Sequence, residues 1–152
     1  MYSSLLTLHS WLRWIVILAG LVAFIRAASG ASGRRSWRPS DDRAGFWFTV
    51  ALDTQFTLGL VMYFFASVIT AAAMKDFGEA MRNPALRFWA IEHPFGMLVG
   101  IALAHIGRAR ARKADSFRRH RVAAIFFGLA LLVILASIPW PFTPTPRPWL
   151  RW

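Results

Sequence analysis

The sequence predicts an all-α integral membrane protein, a four-helix bundle with both termini outside the cytoplasm. Three observations predict it. Of 152 residues, 57% are hydrophobic, more than a water-soluble domain of this length can bury. Four apolar runs, at about residues 5–25, 45–69, 88–106 and 122–138, are visible. Each reaches or approaches the roughly 20 residues that a helix needs to cross a hydrocarbon core of about 30 Å. The cations are sorted between the connections. Arg26, Arg34, Arg35, Arg38 and Arg43 follow the first run, and Arg108, Arg110, Arg112, Lys113, Arg118, Arg119 and Arg121 follow the third. The other connection and the tail carry only Lys75, Arg82, Arg87, Arg147 and Arg151. Twelve against five is the positive-inside asymmetry, and it assigns the two Arg-rich connections to the cytoplasm. The chain reads as one four-span domain, residues 1–152, with a Pro- and Trp-rich tail over 139–152.

The same distribution removes a nucleic-acid reading. The net charge is +11, but membrane topology already accounts for where the charge lies. There is no cysteine, which excludes disulfides, thiolate metal sites, iron–sulfur clusters and haem attached through paired thiols. The first run does not read as a cleavable signal: no basic region precedes it, it is long, and Arg13 lies within it.

Span one places His9 and Arg13 four residues apart, on one helix face. Trp11 and Trp14 suit the interfacial aromatic belt, and Gly20 suits close helix approach. Span two is interrupted by Asp53 and Gln55, with Asp53 about 12 Å from the cytoplasmic end. An acid at that depth must face the bundle, be protonated or be paired. The outer connection has Met74, Phe77 and Met81 at helical spacing, which predicts a short surface helix weakened by Gly78.

Span three carries Glu92-His93-Pro94 near its outer end and His105 near its inner end. Pro94 either starts the regular helix or kinks it, and a kink would aim Glu92 and His93 inward. Gly96 and Gly100 form a small-xxx-small packing pair. Span four ends at Ile138-Pro-Trp-Pro, where the prolines stop the helix and leave an extended tail. The tail tryptophans suit the outer membrane boundary or a docking strip for a partner subunit.

Topology sorts the histidines by depth. Spans one and three run in the same direction, so His9 and His93 lie together near the outer face. His105 and His120 lie towards the inner face. Two imidazoles from different helices can hold a haem iron. His93 and His105 are twelve residues apart, about 18 Å along a helix but about 120° around it, so each would face a different neighbour. Other readings stand beside these: His120 as an ordinary interfacial residue among arginines, His105 hydrogen-bonded to a neighbouring helix or to Asp53. Arg13 can pair with Glu92 or Asp53, or can hold a haem propionate or an anionic quinone. Glu92 can relay a proton. Met97, four residues beyond His93, opens a third possibility, copper or other metal handling at His9, His93 and Met97.

The segments His9-Ser-Trp-Leu-Arg13-Trp, Arg87-Phe-Trp-Ala-Ile-Glu92-His93-Pro94, Ala104-His105-Ile-Gly-Arg108 and Ser137-Ile-Pro-Trp-Pro-Phe resemble a group of small four-span bacterial membrane proteins labelled cytochrome b-like. The resemblance covers spans one, three and four. It implies haem b held by histidines at His9, His93 and His105, with His120 as a further candidate. The paired histidines at two depths lead to the expectation of one or two haem b groups in a quinol-linked electron carrier of a bacterial inner membrane. The chain is also similar in size and span count to four-helix dihaem superoxide oxidases. Those carry two histidines on the last span, whereas here the pair is on span three. A non-catalytic accessory subunit of a larger respiratory or photosynthetic complex is the alternative expectation, with the lipid bilayer and a larger complex or further copies as partners.

Overall fold

The computed structural model describes residues 2–33 and 35–151. Met1, Arg34 and Trp152, among them one cation of the first connection and one tryptophan of the tail, lie outside the described residues. The chain is 83% helical, with no strand among the described residues. Helix α1 spans Tyr2–Gly30 and α2 spans Pro39–Val61. Three short helices follow, α3 (Val68–Lys75), α4 (Phe77–Arg82) and α5 (Pro84–Arg87), and then α6 (His93–Lys113) and α7 (Ser116–Ser137). Single π turns extend α2 over Met62–Ala66 and precede α6 over Phe88–Glu92. Four helical stretches, Tyr2–Gly30, Pro39–Ala66, Pro84–Lys113 and Ser116–Ser137, are long and apolar enough to cross a membrane. They overrun the apolar runs of the sequence at most ends, because the helices carry their arginines a turn or more past the apolar segment.

The bundle is a closed square. Helix α1 packs against α2 and α7, and α6 packs against α2 and α7. Its contacts form where small residues let backbones approach, as expected without water to drive helices together. A methyl group at Gly100 would meet Ile134 Cγ1 at 2.6 Å, and one at Gly20 would meet Leu131 and Phe48. Gly96 lies against Ser137, and Gly107 against Phe126. The small-xxx-small pair at Gly96 and Gly100 is therefore the α6–α7 contact. Phe48, Leu52, Phe127, Leu131 and Ile134 fill the space between the helices. Leu18, Phe65 and Leu132 point outward, each more than 60% exposed, as a lipid-facing surface requires.

At the Arg-rich end one acid organises the α1–α2 connection. The Asp41 carboxylate accepts from Arg26 Nε at 3.1 Å, Arg35 Nη1 at 2.8 Å and the Arg38 backbone N–H at 2.9 Å. The last of these closes a cap on α2 and orients Pro39 at its first turn. His120 lies beneath this knot, 1% exposed, with its ring 4.9 Å from the Trp37 ring. The sequence reading of His120 as an interfacial residue among arginines is corrected: its neighbours in the chain face out while its own ring is inside, directly against Gly30.

At the other end the connection is not one amphipathic helix. It breaks at Asp76 and Asn83, whose side chains accept from the first backbone N–H groups of α4 and α5. Gly78 lies inside α4 and does not break it. The two π turns belong together. Pro94 has no N–H, so the Ala90 carbonyl loses its helical partner. The Tyr63 hydroxyl, from the other π turn, donates to that carbonyl at 2.8 Å. The His93 N–H reaches back five residues, to the Phe88 carbonyl. Pro94 thus starts the regular part of α6, and the wide turn before it sets the direction in which His93 points.

Candidate functional site

The π turn before Pro94 brings His93 towards α1. Its ring lies 6.4 Å from the His9 ring, centroid to centroid, with an interplanar angle of 71°. The two imidazoles that the sequence places at one depth are therefore neighbours. His93 Nδ1 donates to the Ser137 carbonyl at 2.8 Å. A carbonyl can only accept, so this bond fixes the proton on Nδ1 and leaves Nε2 with a free lone pair. His9 is positioned by its backbone: Gln55 Nε2 donates to the His9 carbonyl at 2.9 Å, and Gly59 leaves room for the ring, since a methyl there would stand 3.3 Å from His9 Cε1. His9 Nδ1 and Gln55 Oε1 are buried without a hydrogen-bond partner. Buried polar atoms without partners are uncommon in folded proteins and point to a missing ligand or water.

Both histidines line a cleft with about 140 Å³ of open space. Leu52, Tyr63 and Met97 contribute to its wall, and so do two cations, Arg13 and Arg147. Met97, the third residue of the metal-handling possibility, thus shares the cleft with both histidines. The C-terminal tail borders the cleft through Pro139 and Arg147. Arg13, 9% exposed, donates through Nη2 to the carbonyls of Trp149 at 2.7 Å and Pro148 at 3.3 Å. The indole N–H groups of Trp11 and Trp14 donate to the Arg151 and Trp149 carbonyls. The Trp149 ring lies against Trp14 and Trp140, and Arg147 sits 4.7 Å over the Trp89 ring. The tail residues were legible in the sequence only as boundary-seeking aromatics. Their carbonyls, which carry no side-chain signature, hold Arg13.

That arrangement corrects the expected charge pairing. Arg13 bonds neither Glu92 nor Asp53. Glu92 faces out, half exposed, and pairs with Arg87 at 2.7 Å. The wide turn aims His93 inward, and Glu92, one residue earlier, points elsewhere. Asp53 pairs with His105, whose Nε2 donates to Oδ1 at 2.9 Å. The pair does not face the bundle: the side chains are 47% and 52% exposed.

His105 and His120 are not brought together. Gly107 opposes Phe126 and Gly100 opposes Ile134, so His105 stands at about the level of residue 128 of α7. His120 is eight residues further along α7, about 12 Å away on the helix axis. One ring is half exposed on the α2–α6 face and the other is enclosed beside Trp37. No group of three or more His, Asp or Glu side chains able to hold a metal ion occurs among the described residues. Tyr63, Gln55 and Arg147, which contribute to the cleft, were missed by sequence reasoning. Gln55 had a signal, a polar residue two positions from Asp53 inside an apolar run. No family model, curated protein or solved structure matches this chain.

Proposed function

We propose that the chain is a haem b-binding electron carrier of a bacterial inner membrane, its tail and His9–His93 cleft on the outer side. The observation that carries the reading is the pair of imidazoles from two helices, 6.4 Å apart inside an apolar cleft. Two imidazoles from different helices that line one cleft are a donor set that would hold a haem iron. The donor chemistry fits such a group. His93 Nε2 is free because Ser137 occupies Nδ1, which is the usual way a protein fixes a ligating imidazole. Arg13 and Arg147 bring positive charge to the same cleft, where haem carboxylates would be neutralised. The open space is the poorer fit: about 140 Å³ matches a cavity that takes one aromatic ring. A macrocycle requires the cleft to widen.

When bound, haem b supplies a one-electron iron couple whose potential responds to nearby charge and hydrogen bonding. The chain's own part is to hold both rings on rigid helices, to exclude water with Leu52, Trp89 and Met97, and to keep two cations beside the site. The orientation rests on the cation asymmetry between connections. The test is an absorption spectrum of protein purified after expression with ample haem, oxidised and then reduced with dithionite. Soret and α bands that both His9→Ala and His93→Ala remove are expected. A protein without either band overturns the haem reading.

The size of the cleft favours a second reading, a quinone head group in the same place. A single ring fits the space; the unpartnered His9 Nδ1 can donate to a quinone carbonyl, and the unpartnered Gln55 Oε1 can accept from a hydroxyl of the reduced quinol. Quinone in the organic extract of haem-free protein, lost with Gln55→Leu, would support it. Copper without haem in metal analysis would favour the metal-handling reading of His9, His93 and Met97.

A further inference from the structure

The Asp53–His105 pair is in the wrong place for a protein surrounded only by lipid. Asp53 lies eight residues, about 12 Å, inside the apolar run 45–69, and His105 lies one residue inside the Arg-rich end of the run 88–106. Ionisable side chains at that depth almost always face protein or a water-filled cavity. Here both side chains are about half exposed. The surface around them is apolar: Phe46 and Leu60 lie on the same face of α2, and Leu98 lies on the same face of α6, each at least 37% exposed. Ala102 and Ala109 flank His105 on α6 and are exposed, so another helix can come close there.

The bonding capacity left over is self-complementary. Within the chain His105 uses Nε2 and Asp53 uses Oδ1, and among the described residues no other hydrogen bond engages either side chain. One ring nitrogen and one carboxylate oxygen remain, at neighbouring positions on the same face. All copies insert into a membrane with the same orientation. A two-fold axis along the membrane normal, outside the chain and in front of the middle of the pair, brings each His105 opposite the Asp53 of the other copy. We propose that a second copy of this chain covers the α2–α6 face, with Nδ1–H of each His105 donating to the carboxylate of the partner's Asp53. Each imidazolium then bridges two carboxylates. The ring of two imidazoliums and two carboxylates has no net charge and no unsatisfied polar atom facing lipid. A different subunit would have to supply matching groups, whereas a second copy carries them already.

The chain has no cysteine, so single-cysteine cross-linking in native membranes is unambiguous. Ala102→Cys and Thr57→Cys place a thiol on the α6 and α2 sides of the pair, and Leu18→Cys places one on the lipid-facing side of α1. Oxidation should give a band of twice the chain mass at position 102 or 57 and none at 18. Adding His105→Ala to the responsive variant removes both reciprocal bonds and should lower its dimer yield at least about tenfold, a change that loss of one charge-assisted bond already reaches. The cross-link is formed on an otherwise unaltered chain, so a His105 variant that fails to fold leaves the first result standing. No dimer band at either position, a band whose mass shows a different protein or lipid, or a yield unaffected by His105→Ala in folded protein would overturn the proposal.

Discussion

Replacing Arg13 with methionine tests how the tail is held. The substitution keeps an apolar stem of similar length and removes the guanidinium, whose Nη2 donates to Trp149 and Pro148 at 2.7 and 3.3 Å. Hydrogen bonds to charged groups contribute about 1.5–3 kcal/mol each, and the longer of these two belongs below that range. About 3 kcal/mol is thus the expected loss for the pair. At 1.36 kcal/mol per decade this raises the open population of the tail by roughly 100-fold. The assay is hydrogen exchange over residues 139–151 in detergent. The reporting amide is that of Arg147, bonded to the Pro139 carbonyl at 3.2 Å, which ties the tail back onto the end of α7. Exchange there should accelerate by about two decades, while amides in the middle of α7 stay protected. Arg13→Lys should lie between the two, since it keeps the charge and loses the planar fork. Unchanged exchange in the methionine variant would refute the reasoning, and would mean that the Trp11 and Trp14 indoles and the Trp14–Trp149 contact hold the tail unaided.

Gly96→Ala should lower thermal stability by about 1–3 kcal/mol, because its methyl would fall on Ser137 and force α6 and α7 apart; the double variant with Ser137→Gly should regain part of it in the same melting experiment. The same change should weaken whatever the cleft binds, since the Ser137 carbonyl fixes His93. Asp41→Asn should cost about 3 kcal/mol in denaturant or thermal unfolding, at the low end for breaking a buried pair because Arg26 is itself 38% exposed. Recovery in Asp41→Glu would show that the charge and not the shape matters.

Helix number, the depth of each polar residue and the sorting of cations follow from composition and spacing, because a bilayer leaves the backbone no alternative to helices of a set length. The same argument put His9 beside His93: parallel spans entered from one side place residues at equal distance from their starts at equal depth. Direction around the helix axis is another matter. It depends on which neighbour each face meets, and that depends on where small residues let helices approach. His120 lies among arginines in the chain and inside the bundle in space, because Gly30 and Trp37 make room for it. Asp53 needed a partner at its depth, and that much was legible; that the pair with His105 would sit on the outer face of the bundle was not. Arg13 and Glu92 were close enough in depth to pair. Only the folded chain shows the tail carbonyls reaching Arg13 first, and the wide turn before Pro94 sending Glu92 to Arg87 and His93 to His9. Depth is encoded one residue at a time by hydropathy, whereas facing is a property of the packed bundle and has no local code.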